Sequence, residues 1–167
     1  LGLFFVLSCS MNYKKALIQK INKRTAKVGI IGMGYVGMPL SELSAAAGFK
    51  TIGFVRDQKK VDSIAAEKIP NLTSTVDKKE LKKADIILIC VQTPVFENKM
   101  PDLRALRQAC EETSVNIRQG QLIVIESSIA PGTTRKIILP ILEKSGLKLG
   151  EEFFLGFSPE RVDPGNT

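Results

Sequence analysis

Residues 27–37 read KVGIIGMGYVG, and the reading of this stretch decides the fold. Its first half, KVGIIG, is a short apolar run rich in β-branched residues, the composition of a strand buried on both faces. Gly32-Met33-Gly34-Tyr35-Val36-Gly37 then fits G-x-G-x-x-G and leads directly into a helical pattern. A bare match of this kind is weak evidence; one that closes a strand and opens a helix is informative. Gly32 makes the tight turn, Gly34 lets the backbone approach a pyrophosphate, and Gly37 lets helix and strand pack closely. The amides at the helix start and the helix dipole then face the phosphates. Gly32, Met33, Gly34, Tyr35, Val36 and Gly37 are therefore candidate dinucleotide-binding residues.

Working outward, the pattern stays regular. Residues 35–47 read as a helix stopped by Gly48. Residues 50–55 (KTIGFV) form a second strand, and residues 57–67 a second helix with Asp57 as its N-cap. Residues 70–75 are a loop or a short edge strand, and a short charged helix over 77–83 follows. Residues 85–91 (DIILICV) make the most hydrophobic strand. Asp102 caps a long helix ending near Gly120, and residues 121–126 (QLIVIE) form another strand. A helix over 133–145, kinked by Pro140 and ended by Gly146, precedes a last strand at 153–157. Strands alternating with helices at this spacing predict an α/β fold: a Rossmann-type, doubly wound, mostly parallel sheet covered on both sides.

The next signal of the motif departs from pattern. A NAD-binding fold places an acidic residue at the end of the second strand, about 20 residues on, to hold the ribose hydroxyls. Here Val55 and Arg56 stand at that point, with Asp57 beyond them. Arg56 either meets a 2′-phosphate, which favours NADP, or is simply exposed. The motif points to a dinucleotide and leaves NAD and NADP both open.

Composition bounds the rest. At 167 residues and 44% hydrophobic content, the chain supports one ordinary domain, fewer than the two or three of a typical dehydrogenase. The net charge of +7 raises nucleic acid as a partner. The lysines, however, sit in pairs such as Lys59-Lys60 and Lys82-Lys83 with no interleaved aromatics, so no nucleic-acid partner is expected. The same positive field suits an anionic nucleotide substrate. Three cysteines make no disulfide framework; Cys90 on a strand and Cys110 on a helix read as core residues in a reducing cytoplasm. With no histidine in the chain, catalysis here must use carboxylates, hydroxyls or lysines.

Residues 1–10 (LGLFFVLSCS) are an apolar run too short to span a bilayer and preceded by no basic segment. They are set aside as a leader or an upstream translation artefact, so no membrane attachment is expected. Residues 11–26 form a basic amphipathic N-terminal helix, and residues 27–167 the dinucleotide-binding domain.

Four separated motifs then agree in order. Gly32 to Leu40 reads GMGYVGMPL; Val91-Gln92-Thr93-Pro94 ends a strand. Glu126-Ser127-Ser128 is followed by Pro131-Gly132-Thr133-Thr134, and Phe157-Ser158-Pro159-Glu160-Arg161 by Asp163-Pro164-Gly165-Asn166. Together they resemble the N-terminal NAD-binding domain of the UDP-glucose/GDP-mannose dehydrogenase family, nearest the branch acting on UDP-N-acetylglucosamine or UDP-N-acetylmannosamine. The resemblance covers residues 11–167. A β-hydroxyacid-type dehydrogenase shares the opening motif, but the SPER ending argues against it.

The resemblance implies oxidation of a sugar C6 alcohol to a carboxylate with two NAD, through a cysteine-bound thiohemiacetal and thioester. It implies that Thr93 positions a water or proton path and that Pro94 fixes the strand-end turn. Glu160 then acts as general base or water activator, and Arg161 contacts the anionic substrate or anchors Glu160. Val91, Thr93, Glu126 and Ser128, at strand ends on the cofactor side, join Val55 and Arg56 as cofactor-binding candidates; Ser128 stands where the family usually has Thr. Relative to the family, the 66–77 loop looks shortened, and the third strand is expected to be missing or frayed. The family's nucleophilic cysteine, catalytic lysine and asparagine, and dimer-forming helix lie beyond Thr167. A truncated, inactive domain is therefore expected, whose full-length parent is a cytoplasmic homodimer. The alternative is an inert dinucleotide-binding fragment of a decayed or truncated gene.

Overall fold

A computed structural model describes residues 2–158 of the chain, with side chains from residue 12 onward. Its elements run α1 (Gly2–Asn22), β1 (Lys27–Ile31), α2 (Gly37–Ala46), β2 (Lys50–Phe54), α3 (Gln58–Ala66), β3 (Leu72–Thr75), β4 (Ile86–Ile89), α4 (Arg104–Ser114), β5 (Leu122–Ile125), α5 (Leu139–Leu142) and β6 (Phe154–Phe157). All six strands pair in parallel, in the order β3-β2-β1-β4-β5-β6. Parallel neighbours need crossovers, and helices supply them on both faces. From β1 the chain winds outward to β2 and β3, then returns to place β4 on the other side. That reversal is the switch point at which open α/β sheets bind ligands, at the carboxyl ends of the strands.

The two faces are covered unequally. On one, Ile87, Ile89, Ile123 and Ile125 pack with Leu106 and Cys110 of α4 and with Ile138, Ile141 and Leu142. On the other, Val28, Ile30, Met33 and Val55 pack with Ile64 of α3. Fully burying one such aliphatic side chain contributes about 1.5–3 kcal/mol, so the larger cluster under α4 and α5 carries the greater share of stability. Along β4 and β5 the residues turned the other way, Ile86, Leu88, Leu122 and Val124, are only half-buried.

A polar hub closes the amino ends of the strands. Asp85, before β4, accepts hydrogen bonds from Lys20 Nζ at 2.7 Å, Arg118 Nη2 at 2.9 Å and the Lys27 amide at 3.0 Å. Beside it, the fully buried Gln121 donates to the Leu81 and Ala84 carbonyls and accepts from the Arg118 amide. This hub ties α1 to the sheet at the end opposite the switch point. The backbone of α1 begins at Gly2, so residues 2–10 continue the helix read from residue 11.

The structure corrects three readings of the sequence. The third strand is present: β3 pairs with β2 from Thr51↔Leu72 to Phe54↔Thr75. The short loop before it reverses because Lys68 and Asn71 take left-handed conformations (φ 51° and 64°), a region asparagine tolerates better than most residues. The helix after the glycine turn starts at Gly37 rather than residue 35. The helix read to Gly120 stops at Ser114, where Thr113, Ser114 and Asn116 side chains bond back to the Ala109, Glu111 and Glu112 carbonyls. Such side chains compete with the helix ladder and favour ending it. The helix read over 133–145 is present and is ended by Gly146 in the left-handed region (φ 81°), but its pitch changes along the way, from a wide turn at Thr134–Ile138 through α5 to a tight turn at Glu143–Ser145. Pro140 removes one N–H from the ladder and crowds the carbonyl four residues back.

Candidate dinucleotide site

Three glycines build the turn at the switch point, each for a different reason. Gly32 leaves β1 with φ +94°, and a Cβ there would lie 2.8 Å from the Cys90 carbonyl oxygen, so the turn passes directly against the end of β4. A Cβ at Gly37 would lie 2.0 Å from the Gly32 carbonyl oxygen; helix and turn meet with no room for a side chain. At Gly34 a Cβ would meet nothing within 4 Å. The first two glycines serve packing, whereas Gly34 bares its backbone to open space. Val36, at the N-cap of α2, makes no side-chain cap hydrogen bond, so no side chain takes the first amides of the helix from a phosphate.

A cleft of about 790 Å³ opens beside this turn, within the size range of ligand pockets. Its floor is Gly32, Met33, Gly34, Cys90 and Val91; Val55, Arg56 and Asp57 stand at one end. Of the residues expected at the cofactor, Gly32, Met33, Gly34, Val55, Arg56 and Val91 line it. Tyr35 is exposed (74%) and does not, and Val36 and Gly37 support the turn from behind. Thr93, Glu126 and Ser128 sit at the ends of β4 and β5, off the cleft wall. There the Thr93 hydroxyl donates to the Ser128 carbonyl at 2.7 Å, so Ser128 engages Thr93 through its backbone. The buried Ser127, which the sequence reading quoted without a role, donates to the Val91 carbonyl at 2.6 Å. Glu160 and Arg161 lie outside the described residues.

The opposite wall went unread in the sequence. Ala105, Gln108, Ala109 and Glu112 of α4 line it, while Lys60 and Lys78, also in the lining, stand at the Val55 end. Residues 105, 108, 109 and 112 follow the i, i+3, i+4, i+7 spacing of one helix face. That small and polar stripe was the available signal.

Charges around the cleft are largely committed. Asp102 takes a bidentate grip from Arg104, with Nη2 at 2.6 Å; hydrogen bonds from Arg104 hold its carboxyl below the usual range, and the same pairing raises Arg104. Glu112 meets Lys78 at 3.7 Å. Asp57 Oδ1 accepts from the Lys60 amide at 2.9 Å, the N-cap bond of α3. Val55 is buried, and its amide donates to the Thr75 carbonyl at 3.0 Å. Both described cysteines are buried and unbridged; burial, helped by Glu111, pushes the Cys110 thiol up to about 12, too high for a nucleophilic thiolate. Among the described residues no group of three His, Cys, Asp or Glu is placed to hold a metal ion. No helix among them is long and apolar enough to cross a membrane.

The bare Gly34 backbone, the uncapped helix start and the cleft at the switch point fit a dinucleotide pyrophosphate. Sheet order and glycine turn together define a Rossmann-type dinucleotide-binding domain. The chain belongs to the UDP-glucose/GDP-mannose dehydrogenase family, whose NAD binding domain matches residues 26–78 and 70–167. It is 34% identical over 154 residues to UDP-N-acetyl-D-glucosamine 6-dehydrogenase of Pseudomonas aeruginosa, covering 84% of this chain and 36% of that enzyme. It is 32% identical over 156 residues to UDP-N-acetyl-D-mannosamine dehydrogenase of Pyrococcus horikoshii, covering 83% and 37%. The crystal structure of a ternary complex of GDP-mannose dehydrogenase from Pseudomonas aeruginosa superposes with a TM-score of 0.77 at 30% identity, covering 82% of this chain and 36% of that one. The chain thus spans little more than a third of the relatives it matches.

Proposed function

We propose that the chain is the cofactor-binding portion of a cytoplasmic nucleotide-sugar 6-dehydrogenase that oxidises the C6 alcohol of a UDP-N-acetylhexosamine to a carboxylate. The observation that carries this reading is the open backbone at Gly34 beside the switch-point cleft, within a chain of this family. NAD supplies the chemistry of hydride acceptance, once for the alcohol and once for the aldehyde level. The residues of this chain bind and orient. The Gly32–Gly37 turn presents amides to the pyrophosphate, and Thr93, fixed by Ser128, presents the end of β4 to the reacting carbon. Glu160 serves as general base and Arg161 as its anchor or as a contact to the anionic substrate. The likeness to the glucosamine and mannosamine enzymes supports the UDP-N-acetylhexosamine class. Homodimerisation belongs to the full-length parent.

Burial keeps the Cys110 thiol protonated, and the chain has no histidine to serve as an acid–base group. The isolated chain is therefore expected to bind NAD without turnover. Titrating the purified chain with NAD, then adding UDP-N-acetylglucosamine and following NADH absorbance, tests both halves. Absence of NAD binding would refute the cofactor role; steady NADH production would refute the assignment as an inactive portion. Val55 at the end of β2 favours a second reading, an inert nucleotide-holding module. A full-length parent without the family's cysteine motif would support it.

A further inference from the structure

We infer that the ribose end of the cleft is built for a 2′-phosphate, so that this domain takes NADP as well as NAD and binds NADP at least as tightly. This rests on the dinucleotide reading above and concerns only which dinucleotide is held. The end of β2 adjoins the glycine turn, since the Gly32 amide donates to the Phe54 carbonyl at 3.3 Å. A ribose bound beyond that turn meets Val55, Arg56 and Asp57. Holding two ribose hydroxyls needs a carboxylate that can accept from both. Val55 is apolar and turned into the core. Asp57 spends one oxygen on the Lys60 amide.

Cations surround the same end. Arg56, Lys60 and Lys78 all line the cleft. Lys78 is held in place: its ammonium lies 3.3 Å from the Val55 carbonyl and 5.8 Å from the centroid of the Phe54 ring. The carboxylates of the lining are Asp57, Asp102 and Glu112. Asp102 is gripped by Arg104, and Glu112 is shared between Lys78 and the Gln108 amide at 3.0 Å. Among the described residues, the Arg56 and Lys60 side chains have no hydrogen bond or ion pair. Two uncommitted cations and one anchored one, opposed among the lining carboxylates by Asp57 alone without a cation partner, leave a net positive end that suits a phosphate dianion better than a hydroxyl pair. The Arg56 guanidinium adds a planar fork that matches phosphate oxygens.

The test is calorimetric titration of the purified chain, and of an Arg56→Ala/Lys60→Ala variant, with NAD and NADP at one fixed salt concentration. Both residues are exposed, so the variant should fold; its unfolding midpoint checks this. NADP is expected to bind at least as tightly as NAD, and the double substitution to lower the NADP-to-NAD affinity ratio roughly ten-fold, the effect of losing a charge-assisted contact. NADP binding more weakly than NAD would overturn the inference while leaving the dinucleotide reading intact, as would a ratio unmoved by the substitutions. Binding of neither nucleotide would overturn both.

Discussion

The Thr93 hydroxyl donates to the Ser128 carbonyl at 2.7 Å, joining the chain ends that leave β4 and β5. Ser127 makes a second link by donating to the Val91 carbonyl at 2.6 Å. Two hydroxyls thus fix the separation of neighbouring strand ends where an open α/β sheet binds its ligands. The Thr93 proton is committed to that carbonyl, while its oxygen keeps acceptor capacity.

Replacing Thr93 with Val should therefore cost about 0.5–1.5 kcal/mol, the net worth of one hydrogen bond, while Thr93→Ser should retain most of it. Urea unfolding of the three proteins measures this. Equal stabilities for the Val and Ser variants would show that the bond contributes nothing.

Gly34 and Gly37 should respond oppositely to alanine. At Gly37 the new Cβ would lie 2.0 Å from the Gly32 carbonyl oxygen, forcing a backbone shift that costs on the order of 1–3 kcal/mol. At Gly34 it meets nothing within 4 Å, so stability should change by less than about 0.5 kcal/mol. NAD affinity should nevertheless fall roughly ten-fold as the methyl stands off the pyrophosphate, about 1.4 kcal/mol. A Gly34→Ala protein that binds NAD normally would place the nucleotide elsewhere.

Asp85 should govern part of the acid limb of stability. Burial on its own would raise its pKa, but hydrogen bonds from Lys20, the Lys27 amide and Arg118 outweigh it and lower the carboxyl below 3.8. A lowered folded value contributes stability that is present above the unfolded value and lost as pH falls through the folded one. Asp85→Asn should destabilise the protein at neutral pH by about 2 kcal/mol and flatten the stability profile below about pH 4. Unfolding free energies across that range decide the point; parallel profiles for both proteins would contradict it.

Cys110 should behave in the reverse sense. Burial first, and the neighbouring Glu111 second, raise its thiol from 9.0 to about 12. The folded state therefore keeps a proton that the unfolded state releases, and stability is lost as pH rises above 9, by up to about 1.4 kcal/mol per unit. Cys110→Ala should remove that slope, and iodoacetamide should modify Cys110 only on unfolding. Rapid alkylation of Cys110 in the folded protein at pH 8 would refute the burial argument.

The sequence by itself determined the alternation of strands and helices and the turn and packing roles of Gly32 and Gly37, because these follow from side-chain period and from backbone angles set residue by residue. Gly32 shows this: its φ of +94° is a local demand, readable in the motif. The Asp57 cap was readable for the same reason. What Thr93 and Ser128 do was not, since their contact joins residues 35 apart and exists only because β4 and β5 are neighbours. The Ala105–Glu112 wall and the approach of Lys78 to the end of β2 likewise depend on how helices settle over the sheet. The third strand was misjudged because its loop turns on left-handed Lys68 and Asn71, which no glycine marks. Tertiary structure alone decided which charges around the cleft are spent on partners and which remain for a ligand. Pattern lists the charged groups; only packing fixes the distances between them.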